Sequence, residues 1–262
     1  MINKCVIVIP IYKSVLSRYE LISLERITQV CKHNPITFIA PKGLELANYE
    51  ILHKVSFETI YFDPKFFESI KGYNSLLISP LFYKCFLKYQ YLLLYQLDAF
   101  VFDFNIDQWC DKEYDYIGAP WFDKKSPTHF YHQLLSSSNL IIRFLKRIVD
   151  FNKGNKLNVG NGGLSLRKVK TFYKISKWLP LIEPNLQKYN NNEDMVWSIL
   201  VTKYFYNFKV PDFKEALKFS IEKNPKEGLA ILENKLPFGC HAWEKYNISV
   251  WRPIFKKYDF II

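Results

Sequence analysis

Asp98 interrupts an apolar stretch, with Tyr91-Leu92-Leu93-Leu94-Tyr95-Gln96-Leu97 running up to it and Ala99-Phe100-Val101-Phe102 resuming at once. An unpaired carboxylate taken out of water is costly or protonates, so a charge kept here needs a partner. Two readings stand: a side chain that faces a ligand, or a carboxylate paired with a core Lys or Arg. A second acidic feature, Glu193-Asp194, lies between Asn190-Asn191-Asn192 and the apolar run Met195-Val196-Trp197-Ser198-Ile199-Leu200. That arrangement predicts a helix start whose carboxylates complement the macrodipole, worth about 0.3–1 kcal/mol. Asn161-Gly162-Gly163 precedes Leu164-Ser165-Leu166-Arg167. Paired glycines let backbone N–H groups approach a ligand closely, and a turn requiring positive φ uses them equally well.

The elements that must hold these residues alternate. Val6-Ile7-Val8-Ile9 is a β-branched run closed by Pro10, and Leu16, Leu21, Leu24, Ile27 and Val30 recur near helical spacing across 16–32. Ile36-Thr37-Phe38-Ile39 and Thr59-Ile60-Tyr61-Phe62 read as further strands, each ended by a proline pair, Ala40-Pro41 and Asp63-Pro64. Residues 73–89 read as a helix beginning at Asn74 or Ser75, with Pro80 a blemish. The run that ends at Asp98 then predicts a central strand buried on both faces, and ligands gather at the carboxyl ends of such strands in open α/β sheets. No internal repeat and no interdomain linker is evident.

At 262 residues the chain suits one large α/β domain. We divide it into a nucleotide-binding α/β half over 1–103, a second half over 104–245, and a basic aromatic tail over 246–262. A formal charge of +11 favours an anionic partner, whether nucleic acid, an acidic membrane surface or a phosphorylated small molecule. The five cysteines are widely spaced without a CxxC pair, which reads as reduced core thiols in a cytosolic protein. No apolar span reaches the ~20 residues that cross a bilayer, so the chain is expected to be soluble or peripheral on the cytoplasmic side.

The Asp98 strand end, Asn161-Gly162-Gly163, Glu193-Asp194 and Pro237-Phe238-Gly239-Cys240-His241-Ala242-Trp243, in that order, resemble a GT-A type glycosyltransferase, and within it a group of compact bacterial glycosyltransferase-like proteins. The resemblance covers Val6 to about Trp243 and implies that 104–245 is the acceptor and catalytic half. It implies a mixed, mainly parallel, Rossmann-like central sheet flanked by helices in a single domain. It also implies a nucleotide-sugar donor, with a DxD motif at a strand end holding Mn or Mg on the diphosphate. Asp98 takes the first aspartate position and Phe100 the second, so the usual primary metal ligand is missing and metal dependence is in doubt. Asp98 and His241 are then the metal-ligand candidates, because some members of the fold take a His from the C-terminal part. Asn161, Gly162 and Gly163 are expected at the donor sugar. Lys13 and Lys71 are expected to face the diphosphate, and Trp121 to offer the acceptor an aromatic platform. Asp194 is the expected general base of an inverting transfer, with Glu193 in reserve.

The function expected is therefore transfer of a sugar from a nucleotide-sugar to a hydroxyl of a cell-surface glycan or lipid-linked glycan. Two basic aromatic stretches, 140–149 and 251–258, suggest contact with an anionic membrane surface at the inner face of the plasma membrane. A non-catalytic glycan-binding or scaffolding relative is the alternative, for which Phe100 argues. A nucleic-acid-binding protein is disfavoured, because no reader motif is recognisable and the basic residues are spread.

Overall fold

The structure, a computed structural model, describes residues 4–45, 52–53, 55–122, 159–183 and 192–262. The basic stretch 140–149 lies outside them. Six strands form the main sheet in the order β3-β2-β1-β4-β7-β6: β1 (Cys5–Pro10), β2 (Ile36–Pro41), β3 (Phe57–Phe62), β4 (Tyr91–Tyr95), β6 (Tyr116–Gly118) and β7 (Leu164–Lys168). Strands β3, β2, β1 and β4 run parallel, while β7 is antiparallel to both its neighbours. The expected mixed, mainly parallel sheet is the one observed, and β4, buried at every residue, sits at its centre.

Strand periodicity divides the interior. Cys5, Ile7 and Ile9 enter one core with Leu24 and Ile27 of α1 (Arg18–Val30), whereas Val6 and Val8 enter the other with Phe82, Phe172 and Trp197. Helix α1 begins where Ser17 and Glu20 close a reciprocal capping box. The helix expected over 73–89 is instead two. Helix α2 (Ile70–Ile78) starts earlier because the Ser69 hydroxyl accepts from Gly72 N–H, and α3 (Pro80–Lys84) restarts behind Pro80, which sits in its first turn with Ser79 as cap.

From β1 the chain winds outward to β3, then returns to the opposite side of β1 as β4. The strand order therefore reverses between β1 and β4, the point at which open α/β sheets leave a crevice beyond their strand ends. A second, three-stranded sheet in the order β5-β9-β8 caps this end, with β5 (Phe100–Val101), β8 (Ser220–Ile221) and β9 (Gly239–Cys240). The antiparallel pairing of Phe100 with Cys240 brings the residues just outside it, Asp98 and His241, to one edge.

The segment 246–262, read as a tail, is a docked helix over Ile248–Lys256. Trp251 and Phe255 are fully buried, so these aromatics belong to the core and cannot face a membrane. They pack with Phe100, whose ring stacks on Phe255 at 3.9 Å. All five cysteines are free, four buried and Cys85 half-buried.

Candidate active site

Beyond the carboxyl ends of β1 and β4 opens a cleft of about 390 Å³. Its walls come from the segment after β1, including Tyr12 and Lys13, from Ser69 and Tyr73 around the start of α2, and from Gln96, Leu97 and Asp98 after β4. Glu20 and Glu244 complete a lining with three carboxylates and one lysine. Lys13 is a lining residue as expected, but its ammonium is 2.7 Å from Glu20, so its charge is already partnered. Lys71 is exposed within the first turn of α2 and is not part of the lining, because the earlier helix start turns Ser69, Ile70 and Tyr73 toward the cleft instead.

Asp98 lines the cleft and is paired at the same time. Its side chain is 35% exposed, and its Oδ1 lies 3.0 Å from His241 Nε2. The same nitrogen is 3.2 Å from Gln96 Oε1, and Glu222 Oε1 is 3.7 Å from His241 Nδ1. Burial opposes a charge on His241, yet the neighbouring Asp98 and Glu222 outweigh it and lift the imidazole pKa to about 10. Asp98 is correspondingly held below the usual carboxylate range: burial works against its charge, and the imidazolium prevails. Ala242, next to His241, adopts a left-handed φ of 48°, a local strain of the kind that clusters at functional sites.

The glycine pair has a packing use that the sequence does not show. Neither Gly162 nor Gly163 has positive φ; Gly160 does, at 146°. A Cβ on Gly163 would stand 1.9 Å from His241 Nε2, and one on Gly162 would stand 2.0 Å from Glu193 Oε1. The missing methyls make room for these two side chains. Asn161 secures the turn by accepting from Gly163 N–H at 3.0 Å, and the Gly163 carbonyl accepts from Gln96 N–H at 2.9 Å.

Glu193 and Asp194 do open a helix, over Glu193–Met195, which continues as a π-helical turn over Val196–Val201. Their environments differ. Glu193 is buried and bonded at 2.8 Å to the fully buried Arg167, whose guanidinium also donates to Tyr83 and Ser165. The second oxygen of Glu193 is buried without a hydrogen bond. Asp194 is half-buried; desolvation, then the adjacent Glu193 charge, raises its pKa to about 7 against the lowering effect of the Met195 N–H. Trp121 is half-buried just past β6, beside the bridge from Pro120 to Val159, and is not part of the cleft lining.

Phe100 does not occupy a ligand position, because its ring is turned into the aromatic cluster behind the small sheet. Among the described residues no group of three or more His, Cys, Asp or Glu side chains could hold a metal by itself. A divalent cation would nevertheless suit Asp98, His241 and the Gln96 side-chain Oε1, since the two oxygens converge on His241 Nε2 at 3.0 and 3.2 Å and form with it the mixed oxygen and nitrogen set that Mn or Mg takes. Binding would release the His241 proton. Gln96, Tyr73, Glu222 and Arg167 are not singled out by the sequence; only Arg167, a charge inside the otherwise buried β7, carries a signal comparable to that of Asp98.

A family profile described as "Protein of unknown function (DUF5672)" matches residues 56–241. No curated protein matches the chain. Among solved structures, mouse xyloside xylosyltransferase 1 in its apo form aligns at TM-score 0.53 and 10% identity, over 90% of this chain and 96% of that one. The apo-form glycosyltransferase GlyE of Streptococcus pneumoniae TIGR4 aligns at TM-score 0.50 and 13% identity, over 99% of this chain and 61% of that one. At such identities the likeness establishes the fold, which is that of GT-A type glycosyltransferases.

Proposed function

Because the chain belongs to the DUF5672 family and carries a glycosyltransferase fold with a cleft at the β1–β4 strand reversal, we propose that it transfers a sugar from a nucleotide-sugar to a hydroxyl of a surface glycan or lipid-linked glycan. The observation that carries this reading is the convergence of Asp98, His241, the Gly162-Gly163 turn and the Glu193-Asp194 pair at one end of the sheet. In this reading the nucleotide lies in the cleft over Tyr12 and Tyr73, and its diphosphate reaches Asp98. A divalent cation held there by Asp98 and His241 would neutralise charge on the diphosphate.

Asp194 is the general base. A carboxylate with a pKa near 7 is poised to take a proton at neutral pH, whereas Glu193 is committed to Arg167. Asp194 takes the acceptor hydroxyl proton as that oxygen bonds to the anomeric carbon; the bond from that carbon to the diphosphate breaks, and the nucleoside diphosphate leaves with the electron pair. Gly162 and Gly163 let Glu193 and His241 pack against the turn and so hold the acidic pair and the imidazole in place.

A thermal-shift screen against a panel of nucleotide-sugars, with and without Mn²⁺, tests the reading. A ligand at about 100 times its Kd stabilises by about 2.7 kcal/mol. A shift with at least one nucleotide-sugar, followed by transfer or slow donor hydrolysis, is the expected result. Donor binding with no hydrolysis or transfer would favour the glycan-binding or scaffolding alternative, and salt-sensitive retention of DNA without any nucleotide effect would sink both.

A further inference from the structure

The helix over Val169–Ile182 buries Phe172, Ile175 and Leu179 and turns its other side outward. That outer side is a single stripe: Lys170, Lys174 and Lys177 followed by Trp178 and Leu181, spaced as one helical face. Trp178 is 57% exposed and Leu181 72%. The helix contains no Asp or Glu. A solvated helix does not need a large apolar pair one turn apart at its tip, and a buried one would not carry three lysines beside it.

The position of the tip matters. Lys168 ends β7 opposite Tyr91, the first residue of β4, so the helix starts at the end of the sheet remote from the cleft. Its 14 residues at 1.5 Å each carry the chain back roughly 20 Å. The chain next described, at Asn192 and Glu193, is against Gly162 at the cleft end. Trp178 and Leu181 therefore lie toward the same end of the sheet as the candidate active site.

We propose that this face docks on an anionic lipid surface, with Trp178 and Leu181 entering the headgroup boundary and the three lysines resting on acidic headgroups. The lysine stripe supplies the charge complementarity, and the apolar pair supplies the part that enters. Other cationic surfaces of this +11 chain lack such an exposed Trp and Leu pair among the described residues; in 251–258 the comparable aromatics are internal. The use of such docking rests on the glycan-transfer reading, since it would bring the site to a lipid-linked acceptor, but the docking itself is measured without any transfer.

Vesicles of phosphatidylcholine alone and of phosphatidylcholine mixed with phosphatidylglycerol provide the test, using the full chain. Co-sedimentation with the mixed vesicles, weakened by salt, is expected, with little on the neutral ones. Each lysine at an anionic surface is worth about fivefold, so replacing Lys170, Lys174 and Lys177 with Gln should weaken binding by about 100-fold. Because these residues are exposed, melting temperature should barely change, which separates lost docking from lost folding. Brominated lipids should quench tryptophan fluorescence in the wild type, and Trp178→Phe should remove most of that quenching, since four of the other five tryptophans, Trp109, Trp197, Trp243 and Trp251, are buried and Trp121 is half-buried. Equal binding to both vesicle types, no loss in the triple lysine variant, or quenching that persists in Trp178→Phe overturns the proposal. So does a dimer in solution that dissociates on Trp178→Ala, which would make a second copy the occupant.

Discussion

Replacing Asp194 with Asn separates stability from catalysis at one residue. In the folded protein its pKa is about 7, against an ordinary 3.8, because burial and the adjacent Glu193 charge disfavour ionisation. Between those values the folded state keeps a proton that the unfolded chain has released. Stability from this group is therefore complete below about pH 4 and is lost as pH rises through about 7. The rise from 3.8 to about 7, at about 1.4 kcal/mol per tenfold, corresponds to about 4 kcal/mol, which partial solvent access reduces to about 2–3 kcal/mol. Asn cannot ionise, so Asp194→Asn should match the wild type near pH 4 and exceed it by about 2–3 kcal/mol near pH 8. The same variant should lose at least ~100-fold in transfer rate, since it keeps shape and hydrogen bonding but removes the base. Urea unfolding at stepped pH, with the m-value checked for constancy, reads the first effect, and initial transfer rates read the second. Parallel pH–stability curves for the two proteins would refute the electrostatic argument. Near-normal turnover in Asp194→Asn, with Glu193→Gln inactive, would reverse the two roles.

Other perturbations test the surrounding frame. Arg167→Met strands Glu193 as a buried charge and should cost about 3–5 kcal/mol in unfolding experiments, part of it recovered on adding Glu193→Gln. Gly163→Ala drives a methyl into His241 and should destabilise by about 1–3 kcal/mol while altering the His241 ring signals in NMR; an unchanged spectrum would show that the turn simply moves aside. Phe100→Asp would not build a metal site, because the ring is buried in an aromatic stack; a loss of about 3–5 kcal/mol without any gain in Mn²⁺ affinity is expected on titration. Stabilisation by a nucleotide-sugar should require Mn²⁺ or Mg²⁺ and vanish in Asp98→Ala, whereas an undiminished shift in the presence of a chelator would take the cation out of the reading.

The main sheet was legible because its strands are continuous apolar runs, and the carboxylate at Asp98 stood out because it broke one. The Pro80 break is visible in the sequence, whereas the Ser69 cap is hidden because its partner, Gly72, gives no apolar signal. The small sheet was not legible at all. Two-residue strands such as Phe100–Val101 and Gly239–Cys240 are too short for periodicity, so the contact between Asp98 and His241 emerged only from tertiary pairing. Gly162 and Gly163 were found for an incomplete reason: sequence shows that a Cβ is absent, but not that Glu193 and His241 fill the space. Phe100 was placed by motif spacing in a ligand position from which its ring points away.

The π-helical turn over Val196–Val201 has an evolutionary corollary. Such a turn holds one residue more than an α-helical path would, so it behaves as a one-residue insertion absorbed without breaking the helix. Removing one residue from it would let the segment relax to ordinary α-helix with the flanking turns in nearly the same rotational register, because the wider π-turn takes up the extra residue locally. Glu193 and Asp194 would stay aimed toward Gly162 and Arg167. The direction of the acidic pair is thus insulated from a one-residue difference in chain length, and a homologue that keeps both acids but lacks the extra residue would present a similarly aimed pair.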